Sequence, residues 1–520
     1  MLRISFYLFL ITILCCKTAC SQNWPKIYGD EFHSLVKDLH ETYDKGLLVT
    51  GFAYIPYGFC RFTWIIKTDI NGNIIWDKKI GDWTHQFWLS GSEITNDNGL
   101  IYSGATTKYS GNFDPLFVKM NACGEIEWCS TMICSEDNYG MDVITLKDGN
   151  YIGMLQYYGE GESYARISLV KFDTIGEPLW IQQLAQEDSL ITNEEGNYLY
   201  QSKSGNFLIS GAAYHPDYLP YWILTDTNGT EIWDLFWNDI NGESHQVHEM
   251  YNNFFYATSW ALNENGVQTP MLFKFNESGN SIASYFLMGD TITAGSSSPI
   301  DLNADTTLVI GLTWRVGIPL DEGFSEIIIT DTLGNLLNRR ILVAEYHVPQ
   351  RIFISSDNKI LVTGYYFVDN NFDIYLWKMN ANLEDDTLYT QPLTYDSLCP
   401  YEIQSDTVDL DCDLFMNIHE LPTKEEYEST VKISPNPARN WVALTLPDVV
   451  AAGKVEVAVY DVYGREVGKG RKGEGENGRK GEVMVNRMVV MDVSSYTPGI
   501  YVVVVTDVKG RRFSGKMIVR

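Results

Sequence analysis

From residue 23 to about residue 397 the chain alternates apolar and polar positions in short runs, each stopped by Asp, Asn or Gly. A period of two predicts half-buried β-strands, and no long stretch of helical period follows residue 22. Four segments share one pattern: "KTDINGNIIW" ending at Trp76, "KMNACGEIEW" at Trp128, "KFDTIGEPLW" at Trp180 and "LTDTNGTEIW" at Trp233, with Trp–Trp intervals of 52, 52 and 53 residues. Three weaker copies lie around Gly279, Gly334 and Asn382, keeping the strand and polar turn without the tryptophan. A second motif precedes them by about one strand: "DKGLLVTG" to Gly51, "DNGLIYSG" to Gly104, "KSGNFLISG" to Gly211 and "DNKILVTG" to Gly364. Each unit thus offers four antiparallel strands.

Repeats of about fifty residues predict an architecture in which each unit buries its faces against its neighbours. Seven four-stranded units predict an all-β, seven-bladed β-propeller over residues 21–397, a radial arrangement that leaves few long sheet edges. "NWPKIYGD" (23–30) resembles "IWDKKIGD" (75–82), the last strand of the first unit, while the seventh unit lacks such a strand. Residues 23–29 are therefore expected to supply it and close the ring.

The turn "DINGN" invites a calcium reading through Asp69, Asn71 and Asn73. The spacing fails it: an EF-hand-like loop starting at Asp69 needs Gly and Glu where Ile74 and Ile80 stand. Asn71-Gly72 instead predicts a two-residue hairpin bend with both central residues at positive φ.

The N-terminus reads as a secretory signal (1–20): Arg3, then an apolar run from Ile4 to Cys16 too short to span a bilayer comfortably, with cleavage expected near Cys20–Ser21. No later segment predicts a transmembrane helix. Six cysteines follow, and in an exported chain an even number favours disulfides. Local pairs are expected: Cys399 with Cys412, and two of Cys123, Cys129 and Cys134. The spacing of that trio does not suit zinc.

Charge divides the chain. Of the net −29, residues 431–520 carry fifteen Lys and Arg against nine Asp and Glu, a balance of +6, which leaves −35 for the rest. An acidic body argues against nucleic acid as a partner, since phosphate binding needs the opposite sign. Residues 398–430 read as an acidic, repeat-free linker holding Cys399 and Cys412. Beyond it, valine-rich strands predict a small β-sandwich interrupted by a basic, glycine-rich insertion.

Two resemblances add to this. The D-x-x-G-x-x-x-W pattern resembles the tryptophan-docking repeat of quinone-dependent dehydrogenase propellers. It implies a packing role for Trp76, Trp128, Trp180 and Trp233, and for Trp24 in the displaced strand; the cofactor is not carried over. Over residues 431–520, "ISPNPA", "VYDVYGREV", "PGIYVV" and the terminal "GKMIVR" resemble the type A C-terminal sorting domain of type IX secretion substrates of the Bacteroidota. The motif residues are Pro435, Asn436, Pro437, Tyr460, Gly464, Pro498, Gly499, Tyr501 and Lys516. The resemblance implies the type IX machinery as partner, removal of signal and sorting domain, and release or anchoring at the outer surface.

Candidate chemistry is sparse. His245 and His248 have an H-x2-H spacing next to Glu249, but a metal needs a third ligand, and solvent-facing histidines are expected. No G-x-S-x-G, H-E-x-x-H or P-loop occurs, and no catalytic, metal or cofactor-binding residue is assigned. The sequence therefore favours a secreted or surface protein that binds a glycan or protein ligand. An extracellular hydrolase or lyase with its site at the channel mouth, and a structural envelope or biofilm component, stay open because fold does not decide function.

Overall fold

The computed structural model describes residues 24–29, 32–54, 61–82, 84–158, 164–184, 193–215, 217–237, 241–250, 253–263, 265–287, 294–303, 307–316, 322–342, 347–368, 371–416, 430–447, 455–462, 464–471, 484–485, 488–506 and 512–520. The expected cleavage site at Cys20–Ser21 and most of the basic insertion lie outside them.

Every element among the described residues is a β-strand. The body, to Glu420, is one compact unit and the C-terminal region another. Among the described residues the body holds seven sheets, each built on four antiparallel strands, with a fifth, parallel strand added to the first two. The first runs through His33–Glu41, Leu47–Tyr54, Arg61–Thr68 and Ile74–Ile80. The seventh consists of His347–Ile354, Ile360–Val368 and Asn371–Met379, and takes its fourth strand from the N-terminus. There Lys26–Tyr28 pairs antiparallel with the last of these, Lys26 opposite Leu376 and Tyr28 opposite Ile374. First and seventh sheets share one hydrophobic cluster, in which Val36, Leu39 and Val49 join Leu361, Tyr375 and Trp377.

The outer turn of each sheet explains why Asp, Asn and Gly recur. In the first, the Asp69 N–H donates to Asn73 O and the Gly72 N–H to Asp69 O, while Asp69 Oδ1 accepts the N–H groups of Asn71 (2.9 Å) and Asn73 (2.8 Å). Gly72 sits at φ +75°, whereas Asn71 is not among the residues at positive φ. The bend is thus a type I turn completed by a left-handed glycine, with a register shift between Lys67 and Thr68, not the two-residue hairpin expected from Asn71-Gly72. The carboxylate that would have begun a calcium loop is spent on the turn's own backbone. In the seventh sheet Leu383, not a glycine, takes the left-handed position (φ 64°), and burial of its side chain offsets the strain.

These glycines also receive the indoles. A Cβ on Gly72 would lie 3.0 Å from the Trp24 ring, one on Gly176 2.5 Å from Trp128, and one on Gly279 3.0 Å from Trp233. Trp76 approaches Gly124 at 3.4 Å, and Trp180 is buried. An indole on the outer strand of one sheet therefore lies flat on the turn of the next, where any side chain would displace it. Between the fifth and sixth sheets Tyr285 covers Gly334; between sixth and seventh, Asn338 and Arg340 donate to the carbonyls of Asn382 and Leu383.

The acidic linker expected over 398–430 begins as part of the body. Residues 384–416 run back over the first two sheets as a strap. Asp406–Val408 adds a parallel strand beside Ile74–Ile80, and Asp413–Met416 another beside Ile126–Ile133. Asn71 clips it at Tyr389 through reciprocal hydrogen bonds of 2.9 and 2.7 Å. Lys78 pairs with Asp406 at 2.6 Å, and the buried Lys67 pairs with Asp44 at 2.8 Å beside Asp396. The strap overturns the expected cysteine pairs. Cys399 is bonded to Cys123 and Cys412 to Cys129, because the strap lays each beside the second sheet rather than beside the other. Cys134 is a free thiol.

The C-terminal unit is a sandwich of two antiparallel four-stranded sheets around a valine-rich core that includes Val442, Val457, Val459, Val503 and Val505. Asn436 brackets the final strand: its side chain donates to Lys516 O (3.0 Å) and accepts the Ile518 N–H (2.8 Å). Pro435, Pro437, Pro498 and Lys516 are exposed, and Gly499 and Tyr460 are half-buried. Gly464 makes a left-handed turn, and the buried Tyr501 donates its hydroxyl to Thr497 O. The sorting motif therefore divides into exposed prolines and groups that hold the last two strands in register.

Candidate functional site: the central channel

The innermost strand of each sheet begins the unit: His33–Glu41, Phe87–Ile94, Tyr139–Thr145, Asn193–Gln201, Gly242–Glu249, Ala294–Asn303 and His347–Ile354. Every one carries a register shift partway along. The glycines of the second repeat motif sit across from these bulges. A Cβ on Gly104 would come 1.7 Å from Trp88 O, and one on Gly211 1.8 Å from Glu195 O. At both positions the bulged strand leans its carbonyl into the space a side chain would need, so Gly104 and Gly211 admit no Cβ.

The bulges aim polar side chains along the channel wall, and these form a cycle. Asp38 Oδ2 accepts the N–H of Ser92 in the second sheet (3.1 Å), and Glu93 accepts that of Thr145 in the third. Asp142 Oδ2 accepts the N–H of Leu199 in the fourth (2.8 Å), whose Asn197 donates to Ser244 O of the fifth (2.9 Å). Gln246 accepts the N–H of Ile300 in the sixth (3.4 Å), and Asp301 Oδ2 that of Ile354 in the seventh (2.7 Å). Arg351 completes the set by donating to Lys37 O of the first (2.9 Å) and pairing with Asp38 at 2.8 Å. All seven junctions between sheets carry such a bond, including the one between the chain's last sheet and its first.

From the bulges toward the inner-strand ends lies a cavity of about 870 Å³, lined by residues of all seven innermost strands, among them His40, Glu93, Asp142, Tyr198, His248 and Asp301. Burial pushes the Asp142 carboxyl up to about 7 and that of Glu93 up to about 8, and raises that of Asp301. The same desolvation lowers His40 and His248 and so favours their neutral forms. His248 lies 3.6 Å from Asp301. Solvent-facing histidines were the expectation; instead His248 faces the cavity and His245, at the bulge, is half-buried, because the innermost strand turns its polar residues into the channel. Among the described residues no three His, Cys, Asp or Glu side chains are grouped as metal ligands.

Beyond the bulges the wall is aromatic and cationic. Arg61 stacks over Trp88 (4.8 Å to the ring centre) and Phe52 (5.7 Å), and Lys37 lies over the same two rings at 5.8 and 5.9 Å. Tyr139 meets Trp88 edge-on at 5.9 Å.

Sequence reading missed the polar cycle entirely. Its members are three Asp with one each of Glu, Asn, Gln and Arg, so no single residue type marks all seven strands. The available signal was one polar residue inside the first strand of each unit.

Compared with known families, residues 432–520 match the family described as "Secretion system C-terminal sorting domain". The chain is thereby supported as a type IX secretion substrate, which directs it to the cell surface or beyond. No curated protein matches it. Among solved structures, it is similar to a protein of unknown function from Dyadobacter fermentans DSM 18053 (10% identity, 68% of this chain and 97% of that one, TM-score 0.39). It is also similar to PorZ, a surface component of the type IX secretion system of Porphyromonas gingivalis (10%, 92% and 69%, TM-score 0.35). A third is a polysaccharide lyase of the ulvan lyase family PL25 (8%, 68% and 95%, TM-score 0.46). Likenesses this distant carry no argument about the chemistry of the channel.

Proposed function

We propose that this is a secreted or surface-displayed binding protein whose seven sheets form a closed propeller and whose channel receives a glycan or a protein segment without catalysis. One observation carries the reading: Asp38, Glu93, Asp142 and Asp301 each hold a backbone N–H of the next sheet. A carboxylate fixed in this way supports the ring and is a poor candidate for moving toward a substrate. Residues 431–520 serve delivery, and the body beyond the strap is the part that acts. The test is a glycan and protein-ligand screen on the secreted protein, scored both for saturable binding and for product release. Binding without product supports the reading; turnover of any bound glycan overturns it.

One observation favours a second reading. Asp142 and Glu93 are pushed up to about 7 and about 8, the protonated form a general acid needs near neutral pH. An extracellular hydrolase or lyase would then lose its turnover in Asp142→Asn or Glu93→Gln. The sorting assignment has its own test: deleting residues 431–520 should leave the protein in the periplasm, and normal surface delivery would overturn it.

A further inference from the structure

The aromatic wall beyond the bulges collects donors without acceptors. Lys37 Nζ and the Arg61 guanidinium lie over the faces of Phe52 and Trp88, and Arg61 also approaches Tyr54 at 6.0 Å. Among the described residues neither cation has a carboxylate within ion-pair distance; the nearest acid influencing Lys37 is Asp38, which Arg351 already holds. Trp88 Nε1 is buried and finds no acceptor. The buried indole N–H forfeits its hydration without gaining a partner, and beside it stand two half-buried cations that no carboxylate offsets. Burial, then repulsion from Arg351 and from Arg61, lowers Lys37 to about 8. In a body carrying −35, such a pairing calls for an external acceptor.

We propose that Lys37, Arg61 and the Trp88 indole form a site for an acidic sugar, one pyranose bearing a carboxylate or sulfate. The two cations and the indole N–H face the anionic oxygens. The partly exposed rings of Trp88 and Tyr54, backed by the buried Phe52, take the apolar C–H side of the pyranose, whose slight positive charge suits an aromatic face. The acidic body sets the charge density: a sparsely charged glycan gains the local contacts, while a densely charged polyanion meets long-range repulsion. This rests on the binding reading above and narrows it to a ligand class.

The test uses the full chain and three oligosaccharide probes: a hyaluronan tetrasaccharide for the carboxylate, a carrageenan tetrasaccharide for the sulfate, and cellotetraose as the neutral arm. Affinity is read by calorimetry and tryptophan fluorescence. At least one acidic probe should bind about tenfold or more tighter than cellotetraose, and Arg61→Gln and Lys37→Gln should each cost it about tenfold or more, the scale of one hydrogen bond to a charged group. Trp88→Phe, which keeps a ring and removes the N–H, should weaken the same probe with an unchanged melting temperature. Cellotetraose binding equal to both acidic probes, or acidic binding unaltered by Arg61→Gln in a variant that melts like the parent, overturns the acidic-sugar site while leaving a glycan-binding protein. Binding of no oligosaccharide at all overturns the site and removes the glycan part of the broader reading.

Discussion

The sheets are joined twice, once around the channel and once at the outer turns, and the two seams are built on opposite principles. The inner seam is chemically mixed and complete: Asp38, Glu93, Asp142, Asn197, Gln246, Asp301 and Arg351 each reach the backbone of the next sheet. The outer seam uses one device, an indole on a glycine turn, and lets it lapse: Trp24, Trp128 and Trp233 lie on turn glycines, Tyr285 substitutes once, and Asn338 and Arg340 take over at the sixth junction. The difference teaches what each seam requires. A backbone N–H needs only an oxygen in the right place, which several side chains supply once a bulge aims them. A flat indole needs a flat, side-chain-free partner, so tryptophan and glycine must change together.

Four substitutions or conditions separate the seams, in falling order of effect. Gly104→Ala should abolish cooperative unfolding altogether, since its Cβ would overlap a backbone carbonyl of the bulged strand; calorimetry of the purified variant decides. Trp24→Ala should cost about 3–5 kcal/mol, the range for a fully buried large aromatic, and is read as a shift in denaturant midpoint. A loss below about 1 kcal/mol would mean that the outer seam contributes little to holding the first and seventh sheets together. Asp142→Ala should cost about 1–3 kcal/mol by orphaning the Leu199 N–H, while Asp142→Asn, which keeps an acceptor, should cost less.

The smallest effect is on pH dependence. Asp142 and Glu93 have folded-state values raised to about 7 and about 8, so the folded chain holds protons that the unfolded chain has released. Their contribution is full below about pH 4, near the unfolded carboxyl values, and is lost as pH rises through the folded ones. His40 and His248, lowered by burial, pull the opposite way below about 6.5. Melting temperature should therefore fall from about pH 6.5 to 8, and Asp142→Asn should flatten that slope. A flat profile in the parent would remove the buried-acid account of the inner seam.

The same contrast explains what could be read in advance. The outer seam was legible because its chemistry repeats: Trp76, Trp128, Trp180 and Trp233 recur every 52 or 53 residues, each after a turn with Asp or Asn three residues before Gly. The second glycine motif was also visible, but not its reason, since the carbonyl facing Gly104 comes from a strand paired across the sheet. The bend at Asn71-Gly72 was placed correctly and typed wrongly, because the hydrogen bonds of Asp69 reach one residue further than a two-residue hairpin. The cysteine pairs were missed for a tertiary reason. Cys399 and Cys412 stand close in sequence, but the strap is extended, so each meets a different cysteine of the second sheet. The channel was the least legible part, because a bulge can aim almost any polar side chain at the same N–H.

The strap also fixes where mechanical load can travel. A pull on the chain beyond residue 416 first loads the strand Asp413–Met416 and then reaches Cys412, whose covalent bond to Cys129 passes the tension into the strand Ile126–Ile133. The loop that the bond closes, from Cys129 to Cys412, contains most of the strap and the three strands from His347 to Met379, and it lies off the covalent load path. Handling by the C-terminal end would thus strain the second sheet before the strand Asn371–Met379, on which the N-terminal strand is paired. Reducing the disulfides would reroute the force through the strap toward the seventh sheet, and single-molecule pulling with and without reductant would show the body opening at a lower force in the reduced protein.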